Sequence, residues 1–295
     1  MPKPERIAFI LNPKSGRKTK KNIRNIIEEH IDKSIYDPLF LQTGYAGHAT
    51  TLVYECINQG IKKVVAVGGD GTVNEVASAL VHSNTSMGII PKGSGNGLAR
   101  SLKIPMDTIK AIESLNHSKK KKIDAGLIND KYFFCTCGTG FDAKIGHKFA
   151  KSEKRGFYSY VKMVLHEYRK FNPKKFKLKI DGEKLKRKAF LVTVANAGQY
   201  GNNAYISPQS KMDDGKFDVC IFKPFPLFRA PVLGIRLFTR NIDKSKYIET
   251  IQAEKIVFRK KLNYRFHIDG EPVKFKGPVK IQVMPGVLNV LVPGK

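Results

Sequence analysis

Residues 62–76 read KKVVAVGGDGTVNEV, and the fold turns on them. Val64-Val65-Ala66-Val67 is an unbroken apolar run ended by two glycines, which reads as a strand buried on both faces. Residues 72–82 then take up a helical period. A strand that stops on glycines and passes directly into a helix is the repeating unit of a parallel α/β sheet. Such sheets bind ligands at the carboxyl ends of their strands.

The unit recurs on either side. RIAFILN (6–12) is a short apolar run stopped by Asn-Pro. The basic stretch that follows, 17–33, carries Ile23, Ile26, Ile27 and Ile31 in one helical stripe. PLFLQT (38–43) and MGIIP (87–91) read as strands, and 47–59 and 105–117 as helices. These repeats predict a Rossmann-like parallel-sheet domain over residues 1–122. At Lys119 to Lys122 and IDAG the style changes. From 123 on, strand candidates succeed one another: YFFCTCGTG, KFKLKIDG, AFLVTVANA, KFDVCIF, KIVFRK, YRFHIDG, VKIQVMP and VLNVLVP. Helical stretches near 155–171 and 226–240 interrupt them. Many strands separated by turn residues predict an antiparallel β-sandwich over 123–286. The last strand, near 287–295, is left open to return to the first domain.

The chain has 295 residues, 41% of them hydrophobic, which is ample for two cores. Its 53 Lys and Arg against 25 Asp and Glu leave a net charge of +28. That excess calls for a polyanionic partner: nucleotide, nucleic acid or an anionic membrane surface. The first residues lack the apolar stretch and cleavage site of a signal peptide, and no run approaches the roughly 18 apolar residues of a membrane span. A cytoplasmic protein with peripheral membrane contact is expected. Of the cysteines, Cys56, Cys135, Cys137 and Cys220, none belongs to a second pair that would complete a metal site, so buried thiols are expected.

Three glycine-rich turns follow strands: Asn12-Pro13-Lys14-Ser15-Gly16, Gly68-Gly69-Asp70-Gly71-Thr72 and Gly93-Ser94-Gly95-Asn96-Gly97. Glycines let backbone N–H groups close on an anion, and a following helix N-terminus favours negative charge. Neither G-x-x-x-x-G-K-[ST] nor a G-x-G-x-x-G opening the first helix occurs, so phosphates are held another way.

GGDGTVNEV (68–76), with NPKSG before it, GxGN after Pro91 and DGE at 269–271, resembles the diacylglycerol kinase and sphingosine kinase family of lipid kinases in order and spacing over almost the whole chain. The resemblance implies an NAD kinase- and phosphofructokinase-like first domain that holds ATP, and lipid entering the second. GGDG alone is shared with NAD kinases and phosphofructokinases. The ATP residues so implied are Asn12, Pro13, Lys14, Ser15, Gly16, Thr43, Gly68, Gly69, Asp70, Gly71, Thr72, Asn74, Glu75, Gly93, Ser94 and Asn96. Asp70 falls in the ATP–magnesium site, and from the residues alone it could also cap a helix. Glu271 falls where the family has its general base for the acceptor hydroxyl. Asp-Gly between strands is a hairpin signal in its own right, and IDGEKL repeats the tripeptide at 181–183. There Asp181 and Glu183 are expected to form an ordinary exposed turn. A structural magnesium is implied at the Asp214 carboxylate and the carbonyls of Lys211 and Lys216, against a simple turn cap. The lipid cleft is implied near Gly140, Phe141 and Asp142, whose glycine also has a purely backbone reading.

The third turn continues as GSGNGLAR (93–100), with Gly97 where bacterial diacylglycerol kinases carry aspartate, which is closer to sphingosine kinases. It tilts the acceptor toward a long-chain base or ceramide. PLFRAPVLGIRLFTR (226–240) mixes Leu, Phe and Ile with Arg and suits either a bilayer interface or a helix packed on the sheet. The expected activity is ATP-dependent phosphorylation of a membrane lipid hydroxyl at the inner face of an anionic membrane. No nucleic acid partner is expected, and a homodimer is left open. Two alternatives stand beside it. One is an NAD kinase-like enzyme with a soluble acceptor. The other is a non-enzymatic basic module that binds membrane or nucleic acid, which would have no need of Asp70, Asp214 and Glu271 together.

Overall fold

A computed structural model describes residues 3–16, 22–150, 163–164, 166–259 and 264–294. The chain forms two compact units, Met1–Asp124 with Pro285–Lys295, and Ala125–Met284. No helix among the described residues is long and apolar enough to cross a membrane.

The first unit alternates β1 (Glu5–Leu11), α1 (Ile23–His30), β2 (Tyr36–Gln42), α2 (His48–Asn58), β3 (Lys63–Gly68), α3 (Asp70–Leu80), β4 (Ser86–Pro91), α4 (Gly97–Ser101) and α5 (Thr108–Asn116). Its strands lie in the order β2-β1-β3-β4, all parallel. The chain's last strand, β16 (Val279–Pro293), joins beside β4 with Asn289 opposite Ser86. Ile7, Phe9, Val65 and Val67 face Ile27 and Ile31 of the α1 segment and Ile112 and Leu115 of α5. Their neighbours Ala8, Ile10, Val64 and Ala66 are equally buried, as the unbroken apolar runs require of a sheet covered on both faces. Helix α1 starts at Ile23, where Asn22 accepts the Arg24 amide; the expected 17–21 part lies outside the described residues. Helix α3 begins two residues earlier than its apolar period suggests, because Gly69 takes the N-cap position. Helix α4 was not legible: five residues are too few to show a period.

Strands β5 (Ser118–Ile128), β6 (Lys131–Phe133) and β7 (Thr136–Gly140) lead into α6 (Phe141–Ala150). Then come β8 (Lys174–Ile180), β9 (Glu183–Ala189), β10 (Leu191–Ala195), β11 (Phe217–Phe222), a 3-10 turn at Leu227–Arg229 and α7 (Ala230–Phe238). Strands β12 (Ile248–Ala253), β13 (Lys255–Phe258), β14 (Tyr264–Ile268) and β15 (Glu271–Phe275) complete the second unit. One antiparallel sheet runs β12-β11-β10-β7-β14-β15. In the other, β9 pairs β8, β8 pairs β13, and β13 pairs the first part of β16. Phe176, Leu178, Ile256, Phe258 and Ile281 of one sheet meet Val192, Val194, Phe217, Val219 and Phe266 of the other, which makes the expected sandwich. The lysine run 119–122 is part of β5. Of the predicted helix near 155–171, residues 155–162 and 165 lie outside the described residues, and 163–164 and 166–169 are helical.

Candidate active site

The glycine turns meet at the carboxyl ends of the parallel strands, each tied to the next by a side chain. In the first, Asn12 Oδ1 accepts the Lys14 amide at 3.0 Å and the Asn12 carbonyl accepts Ser15 Oγ at 2.8 Å. Asn12 Nδ2 then reaches the second turn, donating to Thr72 Oγ1 at 2.9 Å. Asp70, the first residue of α3, does not cap its own helix. Its Oδ2 accepts the Asn96 amide at 2.9 Å and its Oδ1 the Gly97 amide at 2.8 Å, so the carboxylate closes the third turn and caps α4. Asn96, at φ 50°, clamps the same turn through both ends of its amide, to Gly93 N at 3.0 Å and Gly93 O at 2.8 Å. A Cβ on Gly93 would stand 2.7 Å from Gly69 Cα, so only glycine lets the second and third turns touch. Pro13, Lys14 and Ser94 are exposed, and Gly16 packs against Lys92.

A cavity of about 260 Å³ opens over the first two turns. It brings together the expected Asn12, Lys14, Thr43, Gly71, Thr72 and Glu75 and adds Gly44, Tyr45 and Ala46, which the sequence reading missed. Thr43 is held by its amide to Leu11 O at 2.9 Å, and Glu75 Oε1 fixes the added loop by accepting the Gly47 amide at 2.9 Å. Asn74 faces along its own helix, accepting Ser78 Oγ at 3.4 Å. Tyr45 is 66% exposed, and its ring stacks on His48 with centroids 4.6 Å apart and planes 8° apart. The signal for this loop was TGYAGHA (43–49), a fourth glycine-containing turn after a strand. Turn amides, helix N-termini and Lys14 make the rim a site for an anion, and the Tyr45 face offers it a flat ring.

In the second unit Asp269 and Gly270 take φ of 47° and 89°, turning β14 into β15, with the exposed Glu271 opposite Ile268. The Asp269 carboxylate accepts the amides of Phe134, Cys135 and Thr136 at 2.8–3.0 Å, which fixes the turn rigidly. Asp181 and Gly182 repeat the geometry at φ of 43° and 98°. Asp181 does more than turn the chain: it takes the amides of Glu254 and Lys255 at 3.1 and 2.7 Å, tying the β8–β9 turn to the corner between β12 and β13. The two copies thus share local chemistry and differ in place. The Gly270 carbonyl faces Gly146 of α6, with 3.7 Å from it to a Cβ built there.

Gly140 ends β7 at φ 122°, where a Cβ would stand 2.6 Å from Phe190 O, a backbone reason for that glycine. Phe141 is 6% exposed and stacks on Phe190 at 4.4 Å, so it packs in the core. Asp142 enters a buried polar cluster that sequence reasoning did not assemble. Its Oδ2 accepts Thr193 Oγ1 at 2.9 Å and lies 3.1 Å from His267 Nε2, and Thr193 Oγ1 meets the Tyr200 hydroxyl at 2.7 Å. No spacing in the sequence relates four residues on four different elements.

At 211–216, Asp214 Oδ1 accepts the Lys216 amide at 3.1 Å and closes a turn. Among the described residues no three acidic, imidazole or thiol groups converge on one point, so a cation there would rest on one carboxylate and backbone carbonyls. All four cysteines are free and buried; burial pushes the thiols of Cys56 and Cys220 up to about 11 and 12.

Residues 6–128 match the family described as diacylglycerol kinase catalytic domain, and residues 135–292 the YegS C-terminal NAD kinase beta sandwich-like domain. A protein of Chromohalobacter salexigens named "Probable lipid kinase YegS-like" is 28% identical over 85% of this chain and 82% of its own length. The "Diacylglycerol kinase" of Bacillus subtilis is 27% identical over 90% of each chain. The crystal structure of a diacylglycerol kinase from Bacillus anthracis superposes with a TM-score of 0.74 at 22% identity, over 99% of this chain and 98% of that one. It shares the fold.

Proposed function

The chain belongs to the lipid kinase family that joins a diacylglycerol kinase catalytic domain to a YegS-type sandwich domain, and from that premise we propose that it moves the γ-phosphoryl group of ATP to the hydroxyl of a membrane lipid. The observation that carries the reading is the tie of Asp70 to Asn96 and Gly97, which preorganises two glycine turns at the strand ends. Their amides, with those of the Asn12 turn, hold the phosphates, and the open face of Tyr45 takes the base. Thr72 and Lys14 orient and neutralise.

Each Asp70 oxygen accepts one amide and keeps a second lone pair, which fits a magnesium ion that retains its waters and takes one or two carboxylates. A second magnesium fits Asp214 with the carbonyls of Lys211 and Lys216 and would brace that turn. When bound, the ion at the phosphates gathers their charge. Glu271, on a turn fixed by three amides to Asp269, accepts the proton of the attacking hydroxyl. The acceptor is a diacylglycerol, or a sphingoid base or ceramide as the Gly97 departure favours, presented at the inner face of an anionic membrane. Incubation with labelled ATP against diacylglycerol, sphingosine, ceramide and NAD tests this. Label in a lipid supports it, and label in NAD alone overturns it.

A further inference from the structure

The segment 226–240 carries its apolar residues on the outside. Leu233 of α7 is buried in one core cluster with Phe222, Leu191 and Ile248, and Leu237 packs against that cluster, which satisfies one face of the helix. Phe228, Val232, Ile235 and Phe238 are 72%, 45%, 63% and 49% exposed. Their spacing of four, three and three residues places all four on one stripe, away from Leu233. Isolated exposed apolar residues need no explanation, but an aligned stripe of four marks a surface that something covers.

Charge selects the occupant. Residues 223–240 contain Lys223, Arg229, Arg236 and Arg240 and no acidic residue. Arg229 lies over the Phe228 ring, 5.4 Å from its centroid, so the stripe is edged by guanidinium. A second copy of the chain would set arginine against arginine. An anionic bilayer offers acyl chains to the stripe and phosphates to its edge. The helix also lies on the sheet face that carries α6: Phe141 and Ile145 share its cluster.

We infer that α7 and the turn before it form the membrane anchor, inserting Phe228, Val232, Ile235 and Phe238 at the headgroup boundary of an anionic bilayer. The inference rests on the membrane-lipid reading of the acceptor, and its test is independent of phosphoryl transfer. The chain has no tryptophan, so Phe228→Trp supplies a single indole. With vesicles of phosphatidylglycerol and phosphatidylcholine its emission shifts to the blue and is quenched by acyl-chain-brominated lipid. Ile235→Ser lowers vesicle partitioning by about tenfold or more, the cost of leaving one large apolar side chain in water. Ile109→Ser, on the exposed side of α5, leaves partitioning unchanged. A blue-shifted indole before vesicles are added means that the chain or a second copy already covers the stripe, and overturns the proposal. So does vesicle binding without shift or quenching. If insertion is seen and no lipid is phosphorylated, the anchor stands and the kinase reading falls.

Discussion

Replacing Asp70 by asparagine keeps the shape of the side chain and removes half of its function. The carboxylate accepts two amides, from Asn96 at 2.9 Å and Gly97 at 2.8 Å. An asparagine oxygen serves one of them, and its NH2 group then points at the other N–H. One charge-assisted hydrogen bond is lost and one donor is stranded, which costs about 2 kcal/mol. For a unit of this size that lowers Tm by roughly 4–8 °C. The damage is local first: amide exchange at Asn96 and Gly97 rises about thirtyfold, as 2 kcal/mol of opening free energy requires. ATP binding weakens because the third turn no longer presents its amides, so KM for ATP rises as kcat falls. Exchange measured by mass spectrometry on peptides spanning 93–100, beside a thermal melt, reads both effects. Unchanged exchange at 96–97 with unchanged Tm would refute the bracing role.

Three further outcomes follow from the geometry. Glu271→Gln should cut kcat by about 10²–10⁴ with little change in KM for ATP, whereas Glu183→Gln, in the matched turn, should alter neither; equal effects of the two in steady-state kinetics would move the base elsewhere. Glu167, 4% exposed, is held by hydrogen bonds from Lys144 and Lys148 that bring its carboxyl from 4.5 down to about 2. Its contribution is complete above the unfolded value and lost as pH falls through the folded one, so stability should drop between about pH 5 and 2, and melts of Glu167→Gln should lack that part of the slope. On β8 and β9, Lys175, Lys177 and Lys179 stand directly opposite Lys188, Lys186 and Lys184, so Lys186→Glu should stabilise by about 0.5–1 kcal/mol and lose the gain in high salt; a lower Tm at low salt would contradict it.

The sequence made the parallel sheet readable because β1, β3 and β4 are buried on both faces, and a run such as Val64-Val65-Ala66-Val67 has few other uses. It concealed β9, EKLKRKA, because an edge strand with solvent on one side spends its alternate positions on charge. The glycine turns were legible as phosphate-binding candidates, but not the links among them: Asn12 to Thr72 spans 60 residues and Asp70 to Asn96 spans 26. Tyr45 escaped for another reason. An exposed ring in a loop belongs to no periodic pattern and is recognised only when its cavity is seen. The cluster of Asp142, Thr193, Tyr200 and His267 exists only through the packing of α6 on its sheet. The turns at 181 and 269 are a case where identical tripeptides gave identical local structure, and only tertiary position separates them.

On the proposed function this chain phosphorylates a lipid hydroxyl with ATP, with Glu271 as base. The direct measurement is transfer of label from γ-labelled ATP into lipid extracted from mixed anionic vesicles, by the parent chain and by Glu271→Gln side by side. Labelled lipid is expected from the parent, with diacylglycerol, sphingosine or ceramide as acceptor. At least about a hundredfold less is expected from the variant at saturating ATP. Equal labelling by the two proteins, or label that enters NAD and no lipid, would contradict it.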